Sequence, residues 1–378
     1  MWLSLVHKDL RNQLLRRNYS ISASLLRSHP ITELARILLP KIGLQRYTLE
    51  ENAWASIDSV YRKLDYTVSK QLPATKDQKG ITAVYGYEDG ALQTFQRAKT
   101  LGLTCIYDLP IAYWETGRRL MQEEADRLPQ WAHTLGGGIK DSEEKLERKT
   151  KELEMADIVI APGGFVMNSL PEWAKYKQLI LAPFGSPASA TMSELHDRIP
   201  RDRKLRVLFA GSMTQRKGLG DLFAAIKLLK STQIELIVMG SAIASLPFYK
   251  SQLPSFTYLQ NRPHAQVLEL MRSCDVFCLP SIVEGRALVM QEAMSQGLPL
   301  IITANTGGED LIKEGSTGFM VPIRSAEAIA CKLQWFLDNR NKIKEMGHMA
   351  QEHAARYTWD AYGSTIVSGL LSHCFSSH

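Results

Sequence analysis

One stretch of the chain, residues 276–294, constrains the fold more than any other. An uncharged apolar run, Val276–Pro280, ends in a proline, and a helical apolar pattern begins again near Ala287. Strand, loop and helix in this order are typical of parallel sheets, in which the loop after a strand faces the ligand crevice. Similar apolar runs alternate with helical patterns along much of the chain, so the sequence predicts an α/β protein with parallel sheets.

Two carboxylates lie within this stretch. Glu284 is predicted in the loop, and Glu292, eight positions later, is predicted about one turn inside the helix. The backbone amides at the start of the helix are predicted to point into the crevice, with the positive end of the helix dipole behind them. The residues that supply these amides are Gly285, Arg286, Ala287 and Leu288. Such a site suits a phosphorylated ligand with hydroxyl groups, because amides bind phosphate and a glutamate accepts from a diol.

This pattern resembles the Glu-x7-Glu signature of the retaining glycosyltransferases with the GT-B fold, most closely the family 4 type (glycosyl transferases group 1). The resemblance covers Lys204–Trp359 well and the preceding residues loosely. Family members usually have Glu-Gly-Phe-Gly at the loop, whereas this chain has Glu-Gly-Arg-Ala at residues 284–287. The resemblance implies that Glu292 binds the ribose of a nucleotide-sugar, while Glu284 and the amides after it bind the sugar and the diphosphate.

A second loop carries two cations. The predicted strand Arg206–Ala210 is followed by the loop Gly211–Gly218 and by a helix from Leu219. This loop resembles the family's glycine-initial, Lys-Gly-terminated donor loop, in which basic residues neutralise the diphosphate and the charge of the leaving group. Here the basic residues are Arg216 and Lys217, and an exposed basic turn is the alternative interpretation.

Further positions complete the predicted donor site. Gly211 lets the chain turn sharply after its strand, and Ser212 stands where many family members have an arginine. Residues 306–309, Thr-Gly-Gly-Glu, follow a strand and resemble a shortened form of the family's Gly-Gly-x-x-Glu turn. The resemblance implies that Gly307 borders the diphosphate. His264 begins another predicted helix, and it either approaches the nucleotide base or caps the surface.

The amino-terminal part is predicted to bind the acceptor. Residues 1–80 have a mainly helical pattern, and the first convincing strand begins at Ile81. The opening strand and glycine-rich loop of a GT-B enzyme are therefore expected to be missing or built differently. Strand–helix–strand alternation over residues 81–185 predicts a parallel sheet with right-handed crossovers.

Three residues are candidates for contact with the acceptor. Asp108 follows a strand, where many family 4 enzymes have a histidine, and Glu88 follows the strand before it. These carboxylates either bind or activate an acceptor hydroxyl, or they cap turns and helices. Gly164, beside Gly163, either lets an acceptor approach the backbone or forms a packing turn.

We therefore expect two Rossmann-like domains that face each other across a cleft (GT-B), with the first domain incomplete or variant. A length of 378 residues is sufficient for two cores. The expected boundaries are residues 1–185 for the acceptor-side domain, 186–358 for the nucleotide-sugar-binding domain and 359–378 for a helix that crosses back. The Gly/Pro/Ser-containing segment Phe184–Pro187 is the predicted hinge.

The composition indicates the cellular compartment and argues against disulfides, membrane spans and a metal site. The five cysteines are scattered and odd in number, which argues against a disulfide framework and favours a reducing cytoplasm. No uncharged stretch reaches the roughly 20 apolar residues that a membrane span needs. We expect neither a metal nor a cofactor, because no metal-ligand cluster is visible and the resembling enzymes generally act without a metal.

The first fifty residues contain nearly the whole positive excess of the chain. They hold eight basic and three acidic residues, a net charge of +5 out of +6 for the whole chain. This basic, partly amphipathic start either makes peripheral contact with an anionic membrane or is a solvated helical surface. Nucleic acid is not an expected partner, because no recognised module accompanies the charge.

The resemblance implies a retaining glycosyltransferase that moves a sugar from a nucleotide-diphosphate sugar to a glycan or lipid-linked acceptor. Its catalytic residues would be Arg216, Lys217 and Glu284. The alternative is a non-catalytic protein of the same fold that binds a nucleotide-sugar or a glycan. The absence of a predicted opening strand, and the acid at position 108, are the features that keep this alternative open.

Overall fold

A computed structural model describes residues 21–73, 80–189 and 203–376, and the chain forms two compact units, residues 1–64 and residues 65–378. Its helices, in chain order, are α1 (Pro30–Leu38), α2 (Ile57–Gln71), α3 (Leu92–Thr100), α4 (Trp114–Arg127), α5 (Glu143–Met155), α6 (Gly164–Ser169), α7 (Leu219–Leu229), α8 (Leu246–Gln252), α9 (His264–Arg272), α10 (Leu288–Ser295), α11 (Ala326–Asp338), α12 (Ile343–Ala354) and α13 (Trp359–Ser376). Its strands are β1 (Ala83–Tyr87), β2 (Thr104–Asp108), β3 (Ile158–Ala161), β4 (Gln178–Leu181), β5 (Leu205–Ala210), β6 (Ile234–Met239), β7 (Thr257–Leu259), β8 (Val276–Leu279), β9 (Leu300–Ile302) and β10 (Gly318–Met320).

The smaller unit is helical over the residues that the structure describes. It contains α1, the 3-10 turns Leu39–Ile42 and Gln45–Tyr47, and the first residues of α2. As the sequence predicts, no strand precedes β1 within residues 21–73 or 80–82.

The first sheet of the larger unit has four described strands in the order β1-β2-β3-β4, all parallel. Its strands are short apolar runs, so both of their faces need cover. One face packs on α3 and α5 around Phe95, Tyr107 and Leu153. The other face packs Ile106 and its neighbouring isoleucines on apolar side chains of α13.

The second sheet has the strand order β10-β9-β8-β5-β6-β7 and is also parallel. The chain leaves β5 towards β6 and β7, and it returns on the other side of β5 with β8. The order therefore reverses between β5 and β8, and at such a point the loops after the two strands part to form a crevice. This reversal places the two loops that the sequence singles out next to each other.

One segment connects the two halves of the larger unit in a way the sequence does not predict. The 3-10 turn Pro129–Thr134, directly after α4, sends Trp131 into the hydrophobic core of the second sheet. The Trp131 ring meets Phe223 at 5.8 Å and Tyr249 at 5.8 Å between ring centroids. Trp131, about 70 positions before the first strand of the second sheet, thus forms part of the hydrophobic core of that sheet.

Candidate functional site

A cavity of about 470 Å³ opens where the loops after β5 and β8 meet. Most of the donor-site residues predicted from the sequence line it. These residues are Gly211, Ser212, Lys217, Glu284, Arg286, Ala287, Leu288 and Glu292. These residues meet because a parallel sheet brings the carboxyl ends of neighbouring strands, and the loops after them, to one edge.

A carboxylate that lines the cavity is paired with two cations. Lys217 Nζ donates to Glu284 Oε1 at 2.5 Å, and an Arg216 guanidinium nitrogen lies 3.0 Å from the same oxygen. The side chains of Lys217 and Glu284 are each 12% exposed. Arg216 does not itself line the cavity. These three side chains together carry a net charge of +1, which favours an anionic group next to them.

The two loops are locked together by their backbones. The Arg216 carbonyl accepts from the amide of Ile282 at 2.8 Å. Gly218 follows in the left-handed region with φ of 72°, and a Cβ there would lie 2.0 Å from the Pro280 carbonyl oxygen. Only glycine fits at such a position. The cations therefore sit on a loop whose backbone has little freedom.

The first turn of α10 faces the cavity, with Leu288 as its first helical residue. No side chain caps this end of the helix, so its amides keep their capacity to bind an anion. One predicted donor is already used, because the amide of Ala287 donates to the Thr306 carbonyl at 3.3 Å.

Arg286 makes different contacts from the rest of the loop. Its guanidinium is buried and donates to Asp310, to Gln291 Oε1 at 2.8 Å and to the Gly307 carbonyl at 3.1 Å. Burial alone would raise the pKa of Asp310, but the Arg286 hydrogen bonds outweigh it and hold that pKa below its ordinary value. The Arg286 side chain thus braces the loop, and its backbone is what remains for a ligand.

Glu292 lies at the edge of the same cavity. Its carboxylate is 22% exposed and stands 3.2 Å from His264 Nε2. The structure therefore brings together the residue predicted to bind ribose and the histidine for which the sequence leaves two roles open.

The acceptor-side carboxylates do not line this cavity. Glu88 is buried, with Lys149 Nζ 3.4 Å from its carboxylate, and burial raises its pKa to about 7. Asp108 accepts a hydrogen bond from Tyr85 Oη at 2.5 Å, and burial raises the pKa of Asp108 as well. Both residues stand at the carboxyl ends of strands, as predicted, but their present partners are protein groups.

The two halves of the larger unit touch through glycines. A Cβ on Gly285 would lie 1.7 Å from the Pro110 carbonyl oxygen, which belongs to the loop after β2. A Cβ on Gly163 would lie 3.0 Å from the Gly307 carbonyl oxygen. Gly164 sits beside Glu309 at this junction. None of the three predicted site glycines Gly164, Gly285 and Gly307 lines the cavity.

Several residues that line the cavity were not predicted from the sequence. Phe184 lines it from the predicted hinge, and its carbonyl accepts from Gln291 Nε2 at 2.6 Å. Asn261 and Gly240 line the side near β6. Gly240 had a usable signal, since it directly follows an apolar strand; Phe184 and Asn261 had none. Across the part of the chain that the structure describes, no group of three His, Cys, Asp or Glu side chains is placed to hold a metal ion.

The chain is similar in sequence to known glycosyltransferases. Residues 192–353 match the model of the family "Glycosyl transferases group 1". An uncharacterized glycosyltransferase of Bacillus subtilis, YqgM, is 29% identical over 206 residues, which are 52% of this chain and 56% of the relative. The D-inositol 3-phosphate glycosyltransferase of Corynebacterium aurimucosum is 27% identical over 174 residues, covering 46% of this chain and 36% of that protein. The chain thus spans about half or less of the length of these curated relatives.

Solved structures show the fold. Sucrose-phosphate synthase from Thermosynechococcus elongatus aligns with a TM-score of 0.65 at 19% identity, covering 85% of this chain and 81% of that one. Anabaena Alr3699/HepE in complex with UDP aligns with a TM-score of 0.60 at 14% identity, covering 92% and 98%. The predicted fold class, two Rossmann-like domains of the GT-B type, is confirmed.

Proposed function

We propose that this chain is a retaining glycosyltransferase of the family 4 type, which transfers a sugar from a nucleotide-diphosphate sugar to a glycan or lipid-linked acceptor. The observation that carries the proposal is the convergence of Lys217, Glu284, Glu292 and the start of α10 on one cavity. These groups offer a cation, two hydroxyl acceptors and helix-end amides within the space of one nucleotide-sugar.

The proposed mechanism follows from where charge develops. When the bond between the sugar and the diphosphate breaks, negative charge builds on the diphosphate oxygen. In this proposal Lys217 lies beside that oxygen and Arg216 adds its positive charge through the shared contact with Glu284, so both stabilise the transition state more than the ground state. Glu284 would hold sugar hydroxyls, and Glu292 would accept from the ribose 2′ and 3′ hydroxyls. Acceptor roles for Asp108, Glu88 and Gly164 remain part of the proposal.

Replacing Glu292 with glutamine tests the donor site. Isothermal titration with UDP, GDP and ADP is expected to show binding of one nucleotide by the wild-type chain, and UDP is tried first because HepE was solved with it. Glu292→Gln should raise the Kd for that nucleotide about tenfold or more, the effect of losing a hydrogen bond to a charged group. Glu269→Gln, on the exposed side of α9, should leave the Kd unchanged.

Two outcomes separate this proposal from its alternative. Absence of binding by the wild-type chain to all three nucleotides would contradict the donor site. Binding without release of nucleotide from any donor sugar would favour the non-catalytic nucleotide-sugar-binding protein.

The proposal includes a peripheral membrane contact through residues 1–50. Lys8, Arg11, Arg16 and Arg17 lie outside the described residues; Arg27, Arg36, Lys41 and Arg46 lie within them. The row of apolar residues on α1 and the turn after it faces solvent, with Ile31 75% and Ile42 67% exposed. The polar side of α1 is partly covered, and its Thr32 lies 3.5 Å from Lys63 Nζ. No described helix combines the length and apolarity needed to cross a bilayer.

Sedimentation with lipid vesicles tests this contact. The full chain is expected to pellet with vesicles of 7:3 phosphatidylcholine and phosphatidylglycerol more than with pure phosphatidylcholine. Replacing both Ile31 and Leu38 with serine should lower the bound fraction at least about tenfold, since burying each such side chain contributes about 1.5–3 kcal/mol. Leu228→Ser, at another exposed leucine, is the control. Equal sedimentation of the double variant and the wild type would refute the contact.

A further inference from the structure

A buried carboxylate from the first half of the larger unit contacts the loop that carries Arg216 and Lys217. Glu124 lies on α4, and its side chain is 0% exposed. Gln215, also fully buried, immediately precedes the two cations and donates from Nε2 to Glu124 Oε1 at 2.8 Å. A helix that follows a strand of the first sheet therefore reaches the cationic loop of the second.

Both oxygens of Glu124 are bound by groups that fix its position. Arg127 Nε donates to Oε1 at 3.1 Å, and Arg324 Nε donates to Oε2 at 2.8 Å. Arg324 has φ of 63°, a left-handed conformation that residues other than glycine seldom adopt. A buried carboxylate that accepts from two guanidinium groups and one amide is held in a single orientation.

Every polar group of the Gln215 side chain, and its backbone amide, has a hydrogen-bond partner. The backbone amide of Gln215 donates to Thr134 Oγ1 at 3.0 Å, and the side-chain Oε1 accepts from the backbone amide of Gly220 at 2.7 Å. Its Nε2 also donates to Asp221 Oδ2 at 2.7 Å. Because Thr134 and Glu124 both belong to the segment 114–134, this segment holds Gln215 at two points.

The next two residues leave this anchor, and both contact the same oxygen of Glu284. We propose that Glu124 is a positioning residue which, acting through Gln215, holds the loop so that Lys217 faces the cavity and Arg216 stays on Glu284. That this contact aligns the cations with a diphosphate rests on the proposed function. The loop's dependence on Glu124 can be measured without any ligand.

Hydrogen exchange of the full ligand-free chain is the experiment. Glu124→Gln keeps the shape of the side chain but removes its charge and places an NH2 group against donors. Gln215→Met breaks the same contact, together with the Gln215 bonds to Asp221 and Gly220, and leaves Glu124 with its two arginines. It is the second test variant if the first does not fold. In both variants the amides of residues 211–218 should exchange at least about tenfold faster, as expected for loss of a charge-assisted hydrogen bond. The Kd for the bound nucleotide should rise by a similar factor.

Asp275→Asn is the matched control. Asp275 is a buried carboxylate at the opposite end of β5, where it accepts from the Arg206 amide at 2.8 Å and from an Arg203 guanidinium nitrogen at 2.7 Å. This variant should lower the thermal midpoint while exchange in residues 211–218 stays as in the wild type.

Two results would overturn the positioning role: wild-type exchange of residues 211–218 in both test variants, or equal loosening of that loop by Asp275→Asn. If the wild-type chain binds no nucleotide, the proposed function fails, while exchange of the loop still decides whether Glu124 positions it.

Discussion

Replacing Lys217 with methionine is expected to lower the rate of nucleotide release from the donor sugar by about 10²–10³-fold. The Lys217 ammonium is nearly buried and shares one oxygen of Glu284 with Arg216. Loss of one preorganised donor to the leaving group commonly raises the barrier by about 3–4 kcal/mol. Methionine keeps the unbranched chain, so the packing against Gly211 should change little.

The measurement is steady-state release of the nucleotide, with water or the acceptor as the second substrate. Lys227→Met, on the exposed side of α7, is the control and should release nucleotide at the wild-type rate. A Lys217→Met variant as fast as the wild type would show that Lys217 does not stabilise the leaving group. The Kd of the Lys217→Met variant for the nucleotide is measured as well. Loss of a transition-state contact should lower turnover by a larger factor than it lowers nucleotide affinity.

Replacing Gly285 with alanine is expected to destabilise the larger unit and to weaken nucleotide binding together. The new Cβ would lie 1.7 Å from the Pro110 carbonyl oxygen and 3.1 Å from Ile111 Cα, both backbone atoms. A flexible side chain could move away, but here the loops after β2 and β8 would have to part. Overpacking of this kind costs about 1–3 kcal/mol and sometimes more, and the displaced loop carries Glu284.

Gly137→Ala is the matched control for this prediction, because a Cβ at Gly137 would meet no atom within 4 Å. It should leave the thermal midpoint equal or slightly higher, since alanine restricts the unfolded chain. Thermal unfolding and nucleotide titration measure both variants. Unchanged stability and affinity in Gly285→Ala would mean that the two loops separate freely, against the close contact seen in the structure.

The donor side of the candidate site could be predicted because its signals are local. Strand β8 begins at the predicted Val276 and ends one residue before Pro280, α10 begins one residue after the predicted Ala287, and the cations lie in the loop that follows β5. Carboxyl ends of parallel strands meet at one edge, so strand order alone brings Lys217 to Glu284 across 67 positions of sequence. The roles of these residues stay predictions until a ligand is bound.

Partners of charged side chains could not be predicted in the same way. Arg286 stands within the signature loop, yet its guanidinium turns to Asp310, and Glu88 pairs with Lys149. Gln215 contacts Glu124 across 91 positions, and the helix that holds Glu124 was not predicted at all. Nothing in a local pattern distinguishes a cation that faces a ligand from one that braces a loop.

The sequence by itself determined the α/β class, the parallel strands and the two loops that meet at the cavity, because apolar periodicity and strand-end glycines act over a few residues. Only the tertiary structure decided which side chains those loops present to the cavity and which ones they commit to the protein. It also decided that a segment of the first half, through Trp131 and Glu124, supports the second. Such contacts join residues far apart in the chain, where burial and complementary charge select the partner and short-range pattern has no influence.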